Sequence, residues 1–226
     1  MEKEYIVKLL ETKQVTHDVK QFRVEKPKGY VFNPGQATDV SINKPEWKEK
    51  KNPFTFTGLN DDPFLQFTIK RYPDHHGVTD QLHQLNTGDE LILHDVWGAI
   101  EYFGPGVFLA GGAGITPFLA IFRQLHRQHQ AKGNTLFFSN KTVADIIEHQ
   151  ELIDILGVRA TFILSNDDTP AAGMYLHTRI DKNFLQSQIT DFQQPFYICG
   201  PDQMVKDLGD TLKSLGADPE SVVFEK

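Results

Sequence analysis

The chain has 226 residues, 39% of them apolar, with a formal net charge of −7 and a pI near 5.7. That length suffices for one large domain or two of ordinary size, and the acidic balance argues against general nucleic-acid binding, which needs a basic footprint. Cys199 is the single cysteine, so neither an internal disulfide nor a cysteine-held iron–sulfur cluster can form. The opening Met1-Glu2-Lys3-Glu4-Tyr5 lacks the shape of a signal peptide. The uncharged run 107–122 contains three glycines and a proline and is too short to span a bilayer. No membrane insertion and a cytoplasmic setting are therefore expected.

The first hundred residues read as all-β. Six short runs, 5–10, 19–24, 38–42, 54–58, 65–70 and 90–94, are rich in apolar, aromatic or β-branched residues. Turn signals separate them, among them Pro27-Lys28-Gly29, Asn33-Pro34-Gly35 and Asn86-Thr87-Gly88-Asp89. The pattern predicts a small closed antiparallel barrel, interrupted by one short helix over 79–85 with Leu82 and Leu85 facing inward. After Gly104-Pro105-Gly106 strands alternate with helices. Strand 107–110 leads into helix 117–131, strand 135–139 into helix 142–156, and strand 160–164 follows. Strand 196–199 precedes a helix with Val205, Leu208, Leu212 and Leu215 on one face, and 222–224 forms a last strand. This alternation predicts a Rossmann-like parallel α/β sheet covered on both faces. The expected architecture is a six-stranded antiparallel barrel over 1–103 followed by the α/β domain over 104–226.

One stretch stands out as a site. The run 107–110 meets Gly111-Gly112-Ala113-Gly114-Ile115-Thr116-Pro117 and opens into a helix whose core face is Phe118, Ile121, Phe122 and Leu125. The glycines allow a sharp turn and close approach of a ligand. Thr116 can cap the helix, and Pro117 suits its first position. Orphan N–H groups and the helix dipole then favour an anion such as a dinucleotide pyrophosphate. The turn is not the Gly-x-Gly-x-x-Gly fingerprint, so by itself it leaves a plain strand-to-helix connection open.

Four stretches resemble motifs of the ferredoxin–NADP reductase family of flavoenzymes, and the resemblance runs from about residue 5 to 224. Lys51-Asn52-Pro53-Phe54-Thr55 is similar to the flavin motif Arg-x-Tyr-(Ser/Thr). It implies that Phe54 packs on the isoalloxazine and that Thr55 hydrogen-bonds near flavin N5. Asn52 stands where the family has an arginine that neutralises cofactor phosphate; Lys51 is its neighbour, on the opposite strand face. The segment Ile69-Lys70-Arg71 followed by Gly77-Val78-Thr79-Asp80 resembles the family's basic strand end and Gly-x-x-Ser, with Asp80 at the serine position. It implies that Lys70, Arg71, Gly77, Val78 and Thr79 face the flavin pyrophosphate, while Asp80 is expected to cap the helix and face away. Gly111, Gly112, Gly114, Ile115, Thr116 and Pro117 match the family's seat for the nicotinamide dinucleotide. Cys199-Gly200-Pro201-Asp202-Gln203-Met204 resembles Cys-Gly-Pro-x-x-Met, which places Cys199 beside nicotinamide C4 with Gly200, Pro201 and Met204 around it. Phe224-Glu225-Lys226 resembles the family's terminal aromatic–Glu segment, implying Phe224 at the flavin face and an electrostatic role for Glu225.

The resemblance implies hydride transfer from NADH or NADPH to bound FAD, with FMN as the lesser alternative. Thr55, Cys199 and Glu225 would be the catalytic residues. Ser139 and Lys141 end the second α/β strand, where the adenosine ribose is handled. Lys141 would attract a 2′-phosphate and the carboxylates of Asp167 and Asp168 would repel one, which tips the balance to NADH. Electrons would pass to a separate ferredoxin, flavodoxin or oxygenase component. A reductase of free flavin, ferric complexes or other small acceptors stays open, as does a non-catalytic nucleotide-binding module that has lost flavin. His126 and His129 are three apart and are expected on a solvated helix face rather than on a metal.

Overall fold

A computed structural model describes residues 3–98, 100–167, 173–218 and 222–224. In the N-terminal half, β1 (Tyr5–Thr16), β2 (Val19–Glu25), β3 (Ala37–Ile42), β4 (Asn52–Thr55), β5 (Phe64–Lys70) and β6 (Glu90–Trp97) form one antiparallel sheet in the order β4-β3-β6-β1-β2-β5. A bridge between Phe56 and Phe67 brings the two edges together and closes the barrel. Its interior is apolar and aromatic; Phe32 stacks on Phe56 with ring centroids 4.2 Å apart, beside the buried Phe22, Phe67 and Leu93. Strand β1 runs six residues beyond its apolar stretch. Residues 11–16 are polar except for Val15, yet they pair with β2 across a tight hairpin, and the ladder bonds override composition. The short helix α1 (Val78–Leu82) is buried at Leu82, and Leu85 just beyond it is buried too, as its spacing predicts.

His83, which follows α1, is buried and donates from Nε2 to the Ile69 carbonyl at 2.9 Å. Burial pushes its pKa below the usual histidine value. The unfolded chain therefore takes up the proton more readily, so stability is full above about pH 6.5 and declines as pH falls below it. Denaturant unfolding between about pH 7.5 and about pH 5 should show this decline, and His83→Gln should flatten it. An equally steep decline in the variant would assign the effect to other groups.

The C-terminal half places β7 (Val107–Gly111), β8 (Thr135–Asn140), β9 (Ala160–Leu164), β10 (Tyr175–Leu176), β11 (Phe196–Cys199) and β12 (Val222–Phe224) in one parallel sheet, ordered β10-β9-β8-β7-β11-β12. Helices α2 (Thr116–Arg127), α3 (His149–Leu156), α4 (Lys182–Gln188) and α5 (Asp202–Ser214) cover it. Alternation along β7 separates two cores. Phe108 and Ala110 join Phe118, Phe122 and Leu152 on one face; Val107 and Leu109 join Phe184, Leu208 and Leu212 on the other.

Three elements depart from the sequence pattern. The helix expected over 142–156 is split: Thr142 and Asp145 form a capping box on a single 3₁₀ turn, and α3 begins only after Glu148, which has φ 51°. Helix α4 and the two-residue β10 were not legible. The only buried residues of α4 are the adjacent Phe184 and Leu185, which leave no helical period to read.

The two halves share an apolar seam, in which Val19 of β2 and Ile100 join the Phe108–Phe118 cluster. The connecting segment is pinned by Tyr197, whose hydroxyl donates to the Gly104 carbonyl (2.8 Å) and accepts from the amides of Phe103 and Gly104 (3.0 and 3.1 Å). Among the described residues, no helix is long and apolar enough to cross a membrane.

Candidate active site

Strands β7 and β11 are parallel neighbours, with Cys199 opposite Ala110. From β7 the chain steps outward through β8, β9 and β10, then returns to lay β11 on the other side. The carboxyl ends of β7 and β11 thus frame a topological switch point, where open α/β sheets bind ligands. Gly111 ends β7, residues 112–115 make a 3₁₀ turn, and α2 starts at Thr116. The expectation of a Thr116 cap is corrected. Thr116 is the first residue of α2 and forms no side-chain cap, because winding has already begun at Gly112. Pro117 lies in the first turn, as expected.

The three glycines do different things. A Cβ on Gly114 would lie 2.5 Å from the Gly200 nitrogen and closer still to the Cys199 carbonyl; one on Gly111 would lie 2.5 Å from the Met204 sulfur. These two positions make room for the chain itself and lock the glycine turn against Cys199-Gly200-Pro201 and Met204. Gly112 has φ +52° and open space where its Cβ would stand. Of the three it is the one that leaves the mouth clear for a ligand, and its conformation also favours glycine.

Beside this turn a cleft of about 270 Å³ runs between the two halves. Pro53, Phe54 and Thr55 of β4 and Ile69 and Lys70 of β5 build the barrel wall, Trp97 and Tyr72 border it, and Ala113 and Thr116 close it from the α/β side. Phe54 is half-buried against the barrel core and Thr55 is buried. An apolar ring face, nearby hydroxyls and a volume near the lower end for ligand pockets suit one planar heterocycle with a polar edge. The rest of a dinucleotide would lie outside it. The donor set therefore fits a flavin ring.

The remaining expected residues fall around the cleft. Gly77 is the N-cap of α1, Val78 is buried, and Thr79 lines the cleft. Asp80 does not cap the helix as expected: it is buried and accepts from Arg71 Nε at 2.7 Å. Lys70 pairs with Asp18 at 2.9 Å, and although burial opposes it, that lysine holds the Asp18 pKa below the usual carboxylate value. Asn52 opens β4 opposite Val40, with exposed Lys51 just before it. Cys199 ends β11, buried, behind Gly114 rather than in the cleft wall. Ser139 stands opposite Gly111, and the Lys141 carbonyl accepts from Asn166 at 2.8 Å. Asp167 accepts from the Val143 amide at 2.7 Å, while Asp168 lies outside the described residues. Phe224 pairs through its backbone with Ile198, one residue before Cys199; Glu225 lies outside the described residues. His126 and His129 are both exposed, and His129 is beyond the end of α2 at φ 58°.

Two residues gain prominence from the structure, Asn140 within the Ser139-Asn140-Lys141 stretch expected at the adenosine ribose and Arg123, which the sequence left without a role. Asn140 ends β8 with both side-chain amide atoms buried and without a hydrogen-bond partner, an arrangement that is expensive unless a ligand or water answers it. Arg123 of α2 forks onto Glu151 of α3 (2.7 and 2.6 Å), lies 3.6 Å from Glu148, and donates to the Thr57 carbonyl of the barrel. Burial disfavours its charge, but the carboxylates of Glu151 and Glu148 prevail and raise its pKa above the ordinary arginine value. Glu148 in turn accepts from Gln21 of β2 at 3.2 Å. This network joins α2, α3 and two barrel segments.

Residues 108–210 match the model of the oxidoreductase NAD-binding domain. The chain is 24% identical over 225 residues to the reductase component of propane 2-monooxygenase from Rhodococcus jostii, covering 94% of this chain and 60% of the relative. It is 26% identical over 226 residues to the glycine betaine monooxygenase reductase subunit of Chromohalobacter salexigens, covering 94% and 61%. The chain thus spans about three fifths of the length of these curated relatives. The structure of a ferredoxin NADP+ reductase from Neisseria gonorrhoeae with bound FAD and NADP superimposes with a TM-score of 0.80 at 21% identity, covering 98% of both chains. The chain therefore carries an oxidoreductase NAD-binding domain. The barrel followed by the parallel sheet is the two-domain fold of that reductase structure, and the glycine turn and Cys199-Gly200-Pro201 lie inside the matched NAD-binding domain.

Proposed function

We propose that this ferredoxin–NADP reductase-like chain is an NAD(P)H-dependent flavin oxidoreductase that passes electrons to a separate acceptor such as ferredoxin, flavodoxin or an oxygenase component. The flavin-binding unit is assigned to 1–103, the nicotinamide unit to 104–226, and the setting to the cytoplasm. The observation that carries the reading is the cleft whose one wall is Phe54-Thr55 and whose other wall is Ala113 and Thr116 of the glycine turn. FAD bound there would supply hydride acceptance at N5 and stepwise electron release. The chain's own part is positioning. Phe54 offers a ring face and Thr55 a hydroxyl to the heterocycle. Gly112 keeps the α2 approach open to a dinucleotide pyrophosphate, and Cys199 at the end of β11 borders the space for its nicotinamide. Val19 and Ile100 seal the seam between the halves against water.

Purified protein is expected to be yellow, or to become so with added flavin, and to bleach anaerobically with NADH or NADPH; running both donors reads the preference. Protein that takes up no flavin would defeat the proposal in favour of a nucleotide-binding module. Cys199→Ala is expected to slow flavin reduction by about tenfold or more while flavin content is kept. A full-speed variant would remove Cys199 from the site.

A further inference from the structure

The cleft is well furnished for a ring and poorly furnished for phosphate. On its barrel side Lys70 lines the cleft and Arg71 follows it just outside the lining, and each is already matched by a carboxylate. Lys70 Nζ lies 2.9 Å from Asp18 Oδ2, and Arg71 Nε lies 2.7 Å from Asp80 Oδ1. Asp80 is buried, and its second oxygen accepts from Gln84 at 3.4 Å, so its charge is fixed in place. The local sum is two positive and two negative side chains. A phosphate approaching the terminal nitrogens of Arg71 meets the Asp80 carboxylate behind them. Asn52, at the start of β4, is neutral, and Lys51 does not line the cleft. The adjacent α1 has five residues, too short to add an appreciable dipole. The ring, by contrast, is offered Phe54, Trp97 and the hydroxyls of Thr55 and Thr79 in a volume of about 270 Å³.

We infer that this site selects flavins by the isoalloxazine and its ribityl neck, and that the phosphates add little. Riboflavin, FMN and FAD are then exchangeable ligands of similar affinity. This deepens the flavin reading proposed above and rests on it. It names the ligand class as flavins irrespective of phosphorylation, and it favours the free-flavin reductase among the acceptor readings.

The test is fluorescence titration of the flavin-free full chain with riboflavin, FMN and FAD at about 0.05 and about 0.5 M salt, which spans weak to strong screening. The three dissociation constants are expected within about tenfold of one another, with little salt dependence for FAD. Asp80→Asn, which releases Arg71 and removes a buried negative charge, should strengthen FAD relative to riboflavin by about tenfold. This ratio is insensitive to a general loss of folded protein. FAD binding about a hundredfold tighter than riboflavin in the unaltered chain would overturn the inference and leave the flavin reading standing. So would an Asp80→Asn ratio equal to that of the unaltered chain. Failure to bind any of the three would overturn both.

Discussion

Gly114→Ala is expected to abolish reduction by NAD(P)H while leaving the barrel's flavin content largely intact. The added Cβ would meet the Cys199 carbonyl and the Gly200 nitrogen, both backbone atoms, so no side-chain rotation relieves it. Either the glycine turn or the end of β11 must move. Overpacking against backbone costs about 3 kcal/mol, and a displacement of about 1 Å in a positioning element can reduce rate about a hundredfold. Gly112→Ala is the control for stability only. Its Cβ meets no protein atom within 4 Å, so folding loses only about 1 kcal/mol to the positive φ, while the Cβ enters the space left for a ligand. Stopped-flow reduction and denaturant unfolding on both variants separate the cases. If Gly114→Ala reduces at the unaltered rate, the interlock between the two motifs does not govern the nicotinamide site.

Arg123→Ala is expected to destabilise the fold by about 3 kcal/mol, read by denaturant unfolding. It removes the cation from a largely buried site and leaves Glu151, Glu148 and the Thr57 carbonyl without it. The pair's net value against an apolar substitute is smaller; the loss comes from stranding the carboxylates. The same variant should slow hydride transfer, because Arg123 ties α2, which begins at the glycine turn, to the barrel segment that follows Thr55. Arg123→Lys keeps the charge and loses the fork, and should recover only part of both properties. Arg127→Ala, four residues on, removes an exposed pair with Asp61 at 3.0 Å and should change stability by less than about 1 kcal/mol. Equal effects of Arg123→Ala and Arg127→Ala would show that the network does not hold the halves in register.

Much of the fold was legible because period and punctuation agreed. The six barrel runs and five of the six parallel strands follow from alternating or continuous apolar stretches between turn residues. Misreadings arose where local hydrogen bonds overrode composition. The polar half of β1 is a strand because β2 pairs with it. Residues 142–156 are not one helix because Thr142 and Asp145 close their own turn and Glu148 adopts φ 51°.

For the site, the sequence by itself determined which stretches meet. The glycine turn ends β7 and Cys199 ends β11, and short parallel strands in that order bring their carboxyl ends together. What each residue does there was decided by tertiary structure. Sequence alone assigns all three glycines of the turn to a ligand; packing reserves Gly111 and Gly114 for Met204, Cys199 and Gly200 and leaves Gly112 to the open mouth. Sequence alone counts Lys70 and Arg71 as phosphate-seeking charge; the fold places Asp18 and Asp80 against them. Motif spacing is a property of the local chain and can be read along it. Charge compensation and close backbone approach depend on residues distant in sequence, and only the folded chain brings them together.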